Sequence, residues 1–239
     1  MYKRIILKLS GETLAPEKVS ETNASHSFDA ARVDRAAKAI VDLHDMGVQV
    51  GVVMGGGNIW RGRFTADMDP VIADQMGMLA TIVNALAVQD AIIRQGCGAT
   101  VFTAQEMTRF ADLYRADRAI EAMERGDIVL LAGGTGNPFF TTDTGAALRA
   151  AELKADAVFK GTTVDGVYDS DPRKNPAAKL IRDITYQETI ERGLKVMDTS
   201  AFQLCLDQHI PCIRIFNMDD LDNILRVARG EEIGTVVHA

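Results

Sequence analysis

The sequence predicts an α/β protein: a three-layer α/β/α sandwich around a mostly parallel central sheet, in a single domain over residues 1–239. Three observations predict it. Short runs rich in β-branched residues and leucine alternate along the chain with helical patterns. Those runs are apolar almost throughout, which is the pattern of strands buried on both faces between layers of helices. Glycine-rich turns follow several of the runs, at the positions where open α/β sheets bind ligands. A chain of 239 residues, 47% hydrophobic and 25% charged, can bury a core of this size.

The first strand is RIILKLS, from residue 4, interrupted by Lys8 and followed by Ser10 and Gly11. The Lys8 ammonium is expected to reach the strand's end; the alternative is an edge-strand lysine with its head in water. Residues 15–27, APEKVSETNASHS, are polar and turn-rich and read as a mobile loop. From Asp29 to Met46, Val33, Ala36, Ala37, Ile40 and Leu43 share one face of a helix, and Gly47 stands where a left-handed cap is wanted. VQVGVVMG is the second strand and runs into GGGNIWRG, residues 55–62. There Gly55, Gly56 and Gly57 offer successive N–H groups with Arg61 beyond them, so amides and a guanidinium can grip phosphate oxygens together. A simple tight turn is the equal alternative, since the segment is neither a P-loop nor a dinucleotide fingerprint. The helical stretch from Pro70 to Gln95 is apolar nearly all round, which favours a subunit interface over a core helix.

ATVFT and DIVLLAGG are the next strands, and GGTGNPFFTTD, residues 133–143, connects the second of them to a helix. An ordinary connection needs one or two turn-formers, whereas this one carries three glycines, a proline, two phenylalanines and three threonines. Asp143 at its end reads as the N-cap of the helix TGAALRAAEL rather than as a catalytic carboxylate. In DAVFKG, Lys160 repeats the placement of Lys8 before a glycine turn. Two lysines at the ends of two buried strands suit a build-up of charge between two phosphates. KGTTVDGVYDSDP follows, with Tyr168 able to lie against a planar base; it lacks the glycine and glutamate that a calcium loop requires. PCIRIFN and GTVVHA complete the strands.

A net charge of −7 argues against a general nucleic-acid or membrane surface, because no basic excess exists to neutralise many phosphates. Cys97, Cys205 and Cys212 lack C-x-x-C spacing and read as reduced thiols of a cytoplasmic protein. The apolar stretch near the N-terminus is too short for a signal peptide, and no later run is expected to reach transmembrane length. His26, His44, His209 and His238 are scattered, so neither metal hydrolysis nor a histidine triad is expected, and no protein-held metal site.

Taken in order and spacing, LKLSGE, VVMGGGNIWRG, DQMGMLATIVNALA, GTGNPFFTTD, KGTTVDGVYDSDP, KVMD and RIFNM resemble the bacterial UMP kinases of the amino acid kinase family, essentially from end to end. GTGNPFFTTD is the most specific piece: the related aspartate, acetylglutamate, glutamate and carbamate kinases share the glycine turns and lysines but not this segment. The resemblance implies transfer of the γ-phosphoryl of MgATP to UMP, with Mg²⁺ arriving on ATP. It implies catalytic roles for Lys8, Arg61, Lys160 and Asp198. It places ATP against Lys8, Leu9, Ser10, Gly11, Gly57, Arg61, Thr162, Tyr168 and Asp171. UMP falls to Gly56 and Asp74 and to the segment Thr135, Gly136, Asn137, Pro138, Phe139, Phe140, Thr141 and Thr142. Phe139 and Phe140 either exclude water from the site or pack against the sheet. The resemblance also implies hexamers built from dimers, and UTP or GTP as effectors. Where many members carry a glycine-phenylalanine-glycine-isoleucine-aspartate stretch that accompanies activation by GTP, this chain reads SETNASHSFD, residues 20–29. Two other readings remain: a kinase of the same fold acting on a carboxylate or carbamate, and a catalytically silent binding relative.

Overall fold

The strands follow from alternation within the apolar runs. In a computed structural model, which describes residues 2–16, 27–61 and 68–239, β1 is Arg4–Leu9, β2 Gln49–Met54, β3 Ala99–Thr103 and β4 Asp112–Leu113. Further along come β5 Ile128–Ala132, β6 Ala157–Thr162, β7 Val167–Tyr168, β8 Leu180–Ile181, β9 Asp183–Thr185, β10 Cys212–Asn217 and β11 Thr235–His238. Nine strands form one sheet in the order β4-β3-β5-β2-β1-β6-β10-β11-β9, and β7 and β8 form a separate ribbon. Every pairing in the large sheet is parallel except β10 with β11.

The helices are α1 Ala30–Asp45, α2 Pro70–Arg94, α3 Ala116–Glu124, α4 Thr142–Glu152, α5 Tyr186–Glu191, α6 Thr199–Asp207 and α7 Asp222–Ala228. Side chains alternate across a strand, so an all-apolar strand feeds two cores. Ile5, Leu7 and Leu9 of β1 join Val50, Val52, Ile128 and Leu130 against α1, α2 and α7. Ile6, with Val53, Val129 and Leu131, faces the other way, against α3, α4 and α6. That is the three-layer sandwich. Each such leucine or isoleucine, fully buried, stabilises the fold by about 1.5–3 kcal/mol before conformational entropy is subtracted.

All seven strands expected from the sequence are present, and α1 is capped as expected: the Asp29 carboxylate accepts from the Arg32 amide, and Gly47 beyond the helix has φ +83°. The strands not anticipated, β4 and β7 to β9, are two or three residues long, too short for periodicity to register. The loop expected over residues 15–27 falls largely on residues 17–26, outside the described residues.

One expectation is corrected by α2. Its 25 residues and a mean hydropathy of 1.6 over an 18-residue window are enough, by length and composition, to cross a membrane, and 44% of that window is buried. The polar residues that interrupt it are spent on the protein's interior: Asn84 donates to the Gly55 carbonyl at 2.7 Å and Gln89 to the Ala99 carbonyl at 3.0 Å. The helix packs on α1, β3 and β5 and leaves Ile72, Leu79, Val83 and Ile93 exposed.

Candidate functional site

The four glycine turns meet because β5, β2, β1 and β6 are neighbours running the same way, so the loops at their C-terminal ends lie side by side. Lys8 and Lys160 are register partners on β1 and β6. Both side chains are nearly buried, and between them sits Asp143, its Oδ1 2.9 Å from the Lys8 ammonium and its Oδ2 bonded to that of Lys160.

This corrects the sequence reading of Asp143. The cap of α4 is Thr141, whose hydroxyl accepts from the amides of Asp143 and Thr144 at 3.0 and 3.4 Å. Asp143 is in the first turn, where the helix dipole favours a carboxylate. Cap preference works within a few residues of chain, whereas the lysines that claim this carboxylate come from two other strands. Burial pushes the Asp143 carboxyl up, and the ammoniums of Lys8 and Lys160 outweigh it, so its pKa lies below the ordinary range and the group is ionised. Burial pulls the Lys160 ammonium down; attraction to Asp143 offsets this only in part, and Lys8 adds to the depression.

Two cavities open near this cluster; Lys8 lines the first, and Asp143 and Lys160 line neither. The first, of about 500 Å³, lies between the 55–61 turn, the start of α2 and the 133–142 segment. Lys8, Gly56, Arg61, Asp74, Thr135 and Phe140 are among its walls. The second, of about 1000 Å³, lies between the β1 turn, the outer face of α1 and the ends of β6 and β10, with Leu9, Thr162 and residues 218–222 on its walls. Ser10, Glu12, Gly57 and Arg61 belong to both. Arg61 stands at this shared mouth, its Nε donating to the Gly57 carbonyl at 3.0 Å and its guanidinium paired with Glu12. The β1 turn approaches the β2 turn so closely that a Cβ on Gly11 would lie 2.3 Å from Asn58 Oδ1 and 2.5 Å from the Gly55 carbonyl. Only glycine allows that contact.

The sequence and the fold that carry these two cavities are similar to those of known proteins. The chain matches the amino acid kinase family over residues 3–217. The chain belongs to the amino acid kinase family. It is 50% identical to the uridylate kinase of Bacteroides thetaiotaomicron over 239 residues, 99% of this chain and 98% of that one. The crystal structure of UMP kinase from Bacillus anthracis superposes with a TM-score of 0.92 at 34% identity, covering 99% of this chain and 96% of that one. UMP kinase from Ureaplasma parvum gives 0.90 at 35% identity, with complete coverage of both chains.

The other residues expected at the site divide into three groups. Asn137, Thr141 and Thr142 also line the first cavity, and Ser10 and Gly57 line both. Gly136, Pro138 and Phe139 belong to the same segment but do not form its wall. Neither phenylalanine packs against the sheet: Phe139 is 72% and Phe140 53% exposed. The Phe139 amide donates to Asp74 Oδ2 at 2.7 Å, so Asp74 both faces the cavity and ties the segment to α2. Tyr168 and Asp171 lie outside both walls, on the β7 ribbon and the turn after it; the Tyr168 hydroxyl donates to Asp165 at 3.3 Å, and Asp171 accepts from the Arg173 amide at 3.0 Å.

Asp198 also stands back from the cavities. It caps α6 through the Ala201 amide at 2.8 Å and accepts from the hydroxyls of Thr141 and Thr144, the latter at 2.9 Å. Its carboxylate therefore braces the start of α4, the turn that presents Asp143. Sequence reasoning missed Asp143 and Glu12 as members of the site. All that the chain showed of Asp143 was an acidic residue directly after a threonine pair at the start of a helix, since the lysines it joins come from two other strands.

Proposed function

We propose that the protein transfers the γ-phosphoryl group of ATP to the phosphate of UMP, giving UDP and ADP in pyrimidine nucleotide synthesis. The observation that carries this reading is that two cavities of nucleotide size share one mouth at Arg61, beside the Lys8–Asp143–Lys160 cluster. UMP occupies the smaller cavity and ATP the larger, so their phosphates face each other across that mouth.

Phosphoryl transfer has a loose transition state with charge spread over the transferring oxygens, and it is served by in-line positioning and cations rather than by a protein nucleophile. Lys8, Lys160 and Arg61 supply the positive charge. Asp143 keeps the two lysines side by side, where they would otherwise repel, and incoming phosphate takes Arg61 from Glu12. Magnesium enters as substrate, carried on the ATP phosphates with several waters. UMP's phosphate is already an adequate nucleophile at neutral pH, so the step needs no strong general base. The amides and hydroxyls of the 133–142 segment read uracil's carbonyl and N–H, Asp74 receives ribose hydroxyls, and Thr162, on the wall of the larger cavity, serves the adenosine side.

The apolar residues Ile72, Leu79, Val83 and Ile93 on α2 bury against a second copy within a hexamer. The enzyme works in the cytoplasm, with UTP or GTP as effectors.

The test is ADP release from MgATP with each of UMP, CMP, dUMP, AMP and GMP. UMP is expected to be preferred strongly, by up to about 10⁴-fold over CMP, because the wrong base leaves buried polar groups unpaired. Turnover of CMP at the rate of UMP overturns the reading.

A further inference from the structure

α4 begins at the lysine cluster with Asp143 and, less than two turns later, carries Arg149, a guanidinium only 5% exposed. A cation so buried is costly unless it is paired and bonded. Arg149 is both. One nitrogen lies 2.6 Å from Glu152, another donates to the Gly134 carbonyl at 3.2 Å, and the guanidinium plane sits 3.8 Å from the centre of the Tyr114 ring. Tyr114 follows β4 and stands edge-on to Phe102 of β3, so the stack is fixed to the sheet.

Gly134 is in the 133–142 segment, where the Gly136 amide donates to the Gly133 carbonyl at 3.1 Å and the Asn137 amide to the Thr135 hydroxyl at 3.2 Å. Gly134 has φ +61°, and Phe139 stands at +71°, a conformation that strains a residue with a Cβ. Side chains from outside hold the segment against that strain. The Gly133 amide donates to the Thr81 hydroxyl at 2.9 Å, Gln105 donates to the Gly136 carbonyl at 3.3 Å, and Asp74 takes the Phe139 amide at 2.7 Å. Thr81 and Asp74 belong to α2; Arg149 reaches the segment from α4, the helix that presents Asp143.

We infer that Arg149 is a positioning residue for the acceptor nucleotide. Through the Gly134 carbonyl and the Tyr114 ring it holds the 133–142 segment in the shape that receives the base. It thereby sets acceptor affinity and base choice, and leaves the transfer step to Lys8, Lys160 and Arg61. This rests on the reading of that segment as the UMP site. A planar guanidinium can bond Glu152 and Gly134 at once while stacking; a lysine ammonium cannot satisfy that geometry.

The experiment compares Arg149→Met, Arg149→Lys and Glu152→Gln with the unmodified enzyme by KM for each substrate, kcat, the UMP-to-CMP preference and melting temperature. Arg149→Met is expected to raise the KM for UMP about 10-fold and to narrow the UMP-to-CMP preference, with kcat at saturation and the KM for ATP within about 3-fold, as loss of one charge-assisted bond in acceptor binding requires. Arg149→Lys recovers part of this. Glu152→Gln lowers the melting temperature while leaving the KM for UMP within about 2-fold, because the Gly134 bond survives. An unchanged KM for UMP in Arg149→Lys and Arg149→Met overturns the inference, as does a parallel change in both KM values and kcat. Should Arg149→Met fail to fold, Arg149→Lys carries the test. If the unmodified enzyme prefers another monophosphate, the assignment of UMP fails separately, and the comparison of acceptor with donor KM is made with the preferred one.

Discussion

The two cavities beside Arg61 are built differently. The smaller has a wall made of backbone: the 133–142 segment, strained at Phe139 and tied down from α2, from α4 and from the turn after β3. The larger is bounded by long charged side chains, with Arg35, Lys38 and Asp42 of α1 facing Asp219, Asp220 and Asp222 across twice the volume. A fixed wall of amides and carbonyls rejects a ligand whose donors and acceptors are misplaced, because nothing can move to pair the orphaned groups. Charged side chains that rearrange and stay hydrated choose less strongly among bases. On this contrast, the proposed acceptor side should carry the selectivity and the proposed donor side the tolerance.

The substitution with the largest expected effect is at the one place the cavities share. Arg61→Ala should lower kcat by about 10³-fold, the scale of an arginine that meets transferring phosphate, with the circular dichroism spectrum unchanged. Steady-state turnover close to that of the parent removes Arg61 from the transfer step, and with it the shared mouth as the place of reaction.

Asp143→Asn comes next, by roughly 10²-fold in kcat, since it leaves two neighbouring ammoniums without their common anion. It should also cost about 3 kcal/mol of stability, as breaking a buried ionic cluster does. The pH dependence has a definite sign. The carboxyl's pKa in the fold lies below its ordinary 3.8, so the unfolded chain binds the proton more tightly. Its stabilisation is therefore present above pH 3.8 and is lost as the pH falls through the folded value. Urea unfolding midpoints should show a shallower acid limb for Asp143→Asn than for the parent. Identical limbs would mean that Asp143 is not ionised between the lysines.

The smallest effect sharpens the contrast without touching either nucleotide. Val83→Glu, on the exposed stripe of α2, should break the proposed oligomer in sedimentation velocity. Because α2 also supplies Asp74 and Thr81 to the acceptor segment, the KM for UMP should rise about 3-fold while that for ATP stays level, a modest coupling between interface and site. Equal shifts in both would show that the two sides are not mechanically separate.

Much of this was legible along the chain. β1, β2 and β6 announced themselves by apolar runs, and Lys8 and Lys160 stood out because an ammonium is expensive in a strand buried on both faces. The richness of residues 133–143 in glycine and threonine pointed to a ligand. Other features stayed hidden for physical reasons. Asp143 looked like a cap because capping is a local preference, and the competing lysines lie 135 and 17 residues away. Arg149 did not stand out, since nothing nearby in sequence reveals a buried ring or a carbonyl waiting for it. In α2, apolarity all round told of two burdens, the core and an uncovered face, without dividing them.

The sequence alone determined the alternation of buried strands and helices, the glycine turns and the cations at strand ends, because periodicity, backbone freedom and the cost of burying charge all act over a few residues. The tertiary structure alone decided which turns became neighbours and which carboxylate joins Lys8 to Lys160. It also decided that Arg149 bonds the Gly134 carbonyl. Those contacts depend on strand order and on distances through space, and a local pattern carries no information about either.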